Sequence, residues 1–232
     1  MPGRISATLA AFMTLVSLPA VAQGPIPLQH GYVVGMGGLG ATQVNSPFFG
    51  ASAGFNLTPN LLLTVDVGRM QDVQADFTKE DLASLDQQVT AIAGIPFTST
   101  IKMPTNYFTG GVRYVLPVRG AIRPYVSGSG GIAHMSPEIN FAAMGIDMTG
   151  FLQSDPELAP YVATPFREET RPMATLGTGV VFTVVRHLTF DIGYKYSGIY
   201  LNTDYLQLNG ISPHNHDLLN THRVYTGVGV TF

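Results

Sequence analysis

Four charged residues stand alone in apolar, glycine-rich surroundings. Asp66 lies in Leu63-Thr64-Val65-Asp66-Val67-Gly68 and Arg113 in Gly111-Val112-Arg113-Tyr114. Asp191 and Lys195 lie in Phe190-Asp191-Ile192-Gly193-Tyr194-Lys195. An isolated ion in a low-dielectric interior is very costly, so charges buried in such places must pair. The chemistry expected of these four is an interior ion-pair network, with Asp66–Arg113 as one candidate pair and Asp191 and Lys195 sharing one face. A second group is His214, His216, Asp217 and His222, with His134 apart from it. His-x-His is a fragment of a Zn or Cu site. No third ligand is fixed by the spacing, so solvated loop histidines are expected and no metal. A covalent catalyst needs a nucleophile and a base on the same face. Ser197 and His222 are the nearest candidates, and their parities oppose each other. No catalytic residue, and no cofactor, is expected.

The elements that must position these groups are strands. Apolar and small or polar residues alternate with period two in eight stretches, near 31–41, 48–57, 60–70, 105–116, 122–134, 171–184, 187–200 and 221–232. Transmembrane β-strands need about 9–11 residues, and these stretches fit. In the seventh, Leu188, Phe190, Ile192, Tyr194 and Tyr196 share one face, and Thr189, Asp191, Gly193, Lys195 and Ser197 the other. A one-residue slip would exchange the faces, so the register is well specified. Asp66, Arg113, Asp191 and Lys195 all take the polar face, with Arg123, Tyr125, Arg223 and Tyr225 on it nearer the strand ends. The connections Thr58-Pro59, Pro117 to Ala121 and Val185-Arg186 are short. The intervening ones, 42–47, 71–104, 135–170 and 201–220, are mostly long.

Composition supports the same picture. Residues 1–22 carry Arg4, an apolar run and the small-x-small Ala20-Val21-Ala22, which reads as a secretory signal peptide. The expected domain is 23–232. It holds 11 Lys+Arg against 15 Asp+Glu and gives no nucleic-acid footprint. The chain has no Cys, which excludes disulfides and thiolate metal sites. After the signal no stretch approaches the roughly 18 apolar residues of a membrane helix. The expected fold class is all-β: an eight-stranded, antiparallel, up-and-down transmembrane β-barrel with long extracellular loops and a polar interior. A secreted lipocalin-like barrel is the alternative fold, with bulky side chains inside. The Gly-rich polar faces argue against it.

Three segments carry a family resemblance: Leu188 to Tyr196, Arg123-Pro124-Tyr125-Val126, and the final Gly227 to Phe232. The chain resembles the small eight-stranded outer-membrane barrels of the OmpA, OmpX and opacity-protein type. The resemblance implies location in the cell outer membrane, contact with its lipid, and insertion by the barrel-assembly machinery. Tyr225, Gly227, Val230 and Phe232 match the assembly signal of that family, with Tyr225 where a more polar residue is usual. Outward Phe55, Tyr114, Phe182 and Phe232 are expected to form a periplasmic aromatic girdle, opposite Phe49, Phe108 and Tyr196. Both chain ends would face the periplasm. Some such barrels use a lipid-facing Ser–His pair to hydrolyse acyl chains, which is the weakest reading here.

The loops hold the variable function. Thr78 is a candidate N-cap for a helix to about Ala93, with Leu82, Leu85, Val89 and Ile92 in one stripe expected to pack on the third loop. That loop offers Ile139, Phe141, Met144, Ile146, Met148, Phe151 and Leu152, and a short helix from Pro156-Glu157-Leu158-Ala159. Two readings stay open, a self-packed cap over the barrel mouth and an exposed surface for an extracellular ligand. The function expected is structural or loop-mediated surface interaction with a largely plugged lumen. The alternative is a narrow channel for small polar solutes.

Overall fold

Alternation along the chain becomes a closed wall in the computed structural model. It describes residues 30–42, 44–73, 78–118, 120–156, 168–185, 187–201 and 218–232. The expected signal segment, His214, His216, Asp217 and the helix expected from Pro156 to Ala159 lie wholly or largely outside them. In chain order the elements are β1 (Gly31–Ala41), β2 (Asn45–Asn56), β3 (Leu61–Met70), α1 (Thr78–Ala93), β4 (Phe97–Lys102), β5 (Thr105–Val115) and β6 (Ile122–Met135). Then follow β7 (Glu138–Ala143), β8 (Ile146–Asp147), α2 (Thr149–Ser154), β9 (Glu169–Val185), β10 (Leu188–Tyr200) and β11 (Leu218–Thr231).

Eight strands close into an antiparallel barrel in the order β1-β11-β10-β9-β6-β5-β3-β2. Closure is made by the first and last strands, Tyr32 facing Thr231 through to Ala41 facing His222. Three of the strands run further at the long-loop end than their hydropathy suggests: β2 starts at Asn45, β9 at Glu169 and β11 at Leu218. The ladder is a backbone property and continues where the side-chain alternation has faded. No described helix is long and apolar enough to cross a membrane.

The outward face is apolar. Phe49, Phe55, Val67, Phe108, Leu176, Val228 and Phe232 are all exposed. A wall that shows bulky apolar groups all round is suited to lipid, and the lipocalin alternative, which needs them inside, is set aside. Phe55, Tyr114 and Phe232 stand exposed near the short-turn end, and Phe182 is half-buried beside Phe190 and Ile122. Phe232 exchanges backbone hydrogen bonds with Gly31, 3.0 Å each way, and its ring covers that glycine.

The two long connections between β3 and β5 and between β6 and β9 join in a small sheet absent from the expected strands. Its order is β4-β7-β8, with Phe97 to Lys102 paired to Ala143 to Glu138. Its buried face carries Phe97, Ile101, Ile139 and Phe141, which merge with Val89 of α1, Leu152 of α2 and barrel residues Met70, Met135 and Met173 into one core. β4 is an edge strand, and exposed edge N–H groups invite wrong pairing. Here α1 covers them: Ser99 N–H donates to Asp86 Oδ1 (2.7 Å) and Phe97 N–H to Thr90 Oγ1 (3.1 Å). The helix expected from Thr78 to Ala93 is thus present; it lies on β4 of its own loop, its Val89 enters the core shared with Phe141 and Leu152 of the third loop, and Ile92 is exposed rather than part of the packed stripe. Met144, Ile146 and Phe151 are exposed as well.

The interior is not uniformly polar, which corrects the expectation from parity. Besides the four charges it holds Tyr32, Val34, Met36, Phe48, Leu62, Tyr107, Tyr125 and Tyr225. The small residues on the inward face make room for these rings.

A charged and aromatic belt across the barrel lumen

All four isolated charges point inward and are buried, Asp66 on β3, Arg113 on β5, Asp191 and Lys195 on β10. They pair across the lumen. Arg113 Nη1 donates to Asp191 Oδ2 at 3.1 Å, and Lys195 Nζ to Asp66 Oδ2 at 2.9 Å. The Asp66–Arg113 pairing expected from neighbouring strands is not made. Asp66 stands opposite Thr109, whereas Arg113 stands opposite Leu62, four residues down β3. At about 3.3 Å per residue that offset is too long for a bridge along the wall. β3 and β10 lie four places apart around the eight-stranded ring, so Lys195 reaches Asp66 across its full width.

Aromatic side chains frame the ions. The Arg113 guanidinium sits 4.0 Å from the Tyr125 ring centre and 4.9 Å from that of Tyr32. Lys195 Nζ is 5.4 Å from the Tyr225 ring. Such cation–π contacts strengthen when desolvated, to about 2 kcal/mol or more. Tyr125 donates its hydroxyl to Asp191 Oδ1 (2.7 Å) and also meets the Tyr225 hydroxyl in a hydrogen bond. Tyr125 and Tyr225 therefore belong to the centre of the belt, although their places along the chain put them nearer strand ends. Barrel strands tilt by roughly 35–45°, so position along a strand is not depth in the barrel.

Each inward tyrosine has a glycine directly across the ladder. Tyr32 faces Gly54, Tyr107 faces Gly68, Tyr125 faces Gly179 and Tyr225 faces Gly193. A Cβ at Gly54 would come 2.1 Å from the Tyr32 ring, and one at Gly193 would come 2.6 Å from the Tyr225 hydroxyl. The lumen of eight strands is just wide enough for side chains. A phenol fits only where the opposing residue has none. Sequence reasoning missed this pairing, yet both partners were on the inward parity and the signal was present.

Below the belt, toward the short turns, lies a cavity of about 100 Å³ lined by Tyr32, Leu62, Arg113, Val115, Arg123 and Thr189. Above the belt the lumen runs into the apolar core shared with the small sheet.

Ser197, His222 and His134, the remaining candidates among the described residues, lie apart from one another. Ser197 is fully buried and bonded to Thr175 Oγ1 (2.8 Å) and Arg223 Nη2 (2.6 Å). His222 faces outward and meets the Tyr194 hydroxyl at 2.6 Å, so the two lie on opposite sides of the wall. Tyr196 donates its hydroxyl to Asn220 Oδ1. His134 meets Thr170 Oγ1 at 3.0 Å. No group of three metal-ligating side chains occurs among the described residues. In the last strand Tyr225 and Gly227 face the lumen, while Val230 and Phe232 face outward and are exposed.

A family model and several solved structures resemble this chain. The family model described as outer membrane protein beta-barrel domain matches residues 8–232. Neisserial surface protein A is similar in structure, with a TM-score of 0.51 at 14% identity, over 88% of this chain and 97% of that one. The attachment invasion locus protein Ail of Yersinia pestis gives 0.43 at 10% identity, over 88% and 100% of the two chains. The N-terminal barrel domain of Pseudomonas aeruginosa OprF gives 0.42 at 16%, over 88% and 98%. No curated protein matches the sequence. Identities this low speak to the fold alone. A closed, lipid-facing barrel of eight strands and a family match over nearly the whole sequence make this chain a member of the outer membrane protein beta-barrel domain family, resident in the outer membrane.

Proposed function

We propose that the protein is a closed-lumen outer-membrane barrel whose role is structural or a loop-mediated interaction at the cell surface. The observation that carries this is the filled lumen: two cross-lumen ion pairs with an apolar core above them. In this reading residues 1–22 are a signal peptide. The short turns and chain ends face the periplasm and the long loops face outward. Phe55, Tyr114, Phe182 and Phe232 form the inner interfacial girdle. The barrel-assembly machinery reads the strand that carries Tyr225, Gly227, Val230 and Phe232. Exposed Met144, Ile146 and Phe151 on the small sheet and α2 supply an apolar contact surface for an extracellular ligand, since exposed apolar clusters mark interaction sites.

Planar-bilayer recording on the purified barrel tests the closed lumen. No reproducible unitary current is expected, and large steady openings would overturn it. Replacing Ile146 and Phe151 by Ser tests the surface. Adhesion of expressing cells to immobilised matrix should fall while heat-modifiable gel migration stays unchanged.

A second reading, a narrow channel for small polar solutes, draws on the cavity at the short-turn end, which Arg113 and Arg123 line. It requires the belt to open, and bilayer currents that appear only under applied voltage would favour it.

A further inference from the structure

The belt contains a third buried cation that its carboxylates do not serve. Arg223 on β11 is 1% exposed. Its Nη2 donates to Ser197 Oγ at 2.6 Å, and beyond the Tyr107 hydroxyl beside it Nε and Nη1 meet no acceptor among the described residues. Directly opposite it on β10 stands Lys195, a like charge. Lys195 is held by Asp66, and Asp191 is taken by Arg113 and Tyr125. Arg113, Lys195 and Arg223 thus face two acids, Asp66 and Asp191, among the described buried residues.

Arginine cannot shed its proton, so the excess charge stays. An unpaired buried cation carries a desolvation penalty of several kcal/mol. The aromatic faces of Tyr107, 4.6 Å away, and Phe48, 5.6 Å away, offset part of it. Ring faces offer no lone pair along the N–H directions of Nε and Nη1, so those donors still call for an acceptor. A bridging water or the neutral Tyr107 hydroxyl would satisfy a donor but would not cancel the charge.

The geometry points to a binding site for one small monovalent inorganic anion at the edge of Arg223, beside Lys195. The anion completes the belt as its third negative charge. A halide fits this chemistry: it is compact, accepts several N–H donors at once and needs no oriented partner of its own. The site is independent of whether the lumen conducts.

The test uses the full-length barrel in bromide. Crystals grown or soaked in bromide should give an anomalous difference peak within hydrogen-bond distance of Arg223 Nε or Nη1. In lipid vesicles at fixed ionic strength, unfolding in bromide is compared with unfolding in gluconate, which is too large to enter. At bromide about 100 times its dissociation constant the folding equilibrium should rise about a hundredfold. In Arg223→Met this dependence should vanish. If that variant does not fold, the wild-type density and the wild-type salt comparison decide alone. No bromide at Arg223 overturns the proposal and favours a bridging water in its place. Density without any anion dependence in solution is binding at crystal concentration only and overturns it as well.

Discussion

The two ends of the lumen are closed by different means. Toward the long loops, the tube runs into an apolar core built from Met70, Met135 and Met173 of the wall and Phe141, Ile101, Leu152 and Val89 of the cap. Toward the short turns it keeps a cavity of about 100 Å³ and is stopped only at Arg113, where the ion belt begins. The apolar closure draws half of its residues from a sheet and helices outside the barrel ladder. The charged closure is made by residues from opposite walls. The first can loosen without the barrel, whereas the second cannot fail without it.

That difference can be broken on purpose. The largest effect is expected from Asp191→Leu. It strands the Arg113 guanidinium and the Tyr125 hydroxyl in the lumen, and breaking one partner of a buried pair costs about 3–5 kcal/mol. Urea unfolding in lipid vesicles should show the loss over the whole barrel at once. Phe141→Ala should remove about 3 kcal/mol by leaving a cavity. Its effect should stay in the cap: faster amide exchange in β4 and β7, with unchanged exchange in β10 and β11. A uniform loss across both regions would end the distinction between local and global closure.

Gly193→Ala sharpens the comparison inside the belt itself. The added methyl would meet the Tyr225 and Tyr125 hydroxyls, 2.6 and 2.8 Å from an ideal Cβ. Overpacking of this kind costs about 1–3 kcal/mol. Outward Gly35 is the control, since its Cβ would find only the Val228 carbonyl at 4.0 Å, and Gly35→Ala should be neutral or stabilising. Equal melting points for the two variants would contradict the seating of tyrosines over glycines.

The smallest effect concerns pH at the cap. The Thr149 N–H donates to Asp147 Oδ1 at 2.9 Å, and this hydrogen bond holds the exposed carboxyl below its ordinary 3.8. A lowered folded value means the contribution is complete above 3.8 and is lost as pH falls through the folded value. The Thr149 amide resonance should therefore stay constant from neutral pH down to about 5 and move only below 3.8. Movement near pH 6 would implicate another group.

Much of the barrel was legible because strand parity is a strict period of two. Asp66, Arg113, Asp191 and Lys195 could be assigned to one face without knowing a single contact. Their partners could not, because partnership depends on shear: Leu62, not Asp66, stands opposite Arg113. The small sheet escaped for another reason. Phe97-Thr98-Ser99-Thr100-Ile101-Lys102 does alternate, but Ser99 is polar and buried, so the apolar count is too low to stand out in a long connection. α1 was visible from its spacing, but not its docking on β4, since Asp86 and Thr90 act on backbone N–H groups that any sequence would present. Arg223 was seen to face inward. That no described carboxylate serves it follows only when each described buried acid has been assigned to another donor.

The belt also bears on how the protein comes to be folded. Lys195 and Asp66 are 129 residues apart in the chain, and Arg113 and Asp191 are 78 apart. Non-local contacts of this kind form late, because loop closure must precede them. They become possible only once the run from β3 to β10 has curled far enough to bring opposite walls together. Until then four charges sit on an open sheet that must enter a hydrocarbon layer. The ion pairs thus act as a record of curvature: they reward a sheet rolled into a tube and give nothing to a flat one.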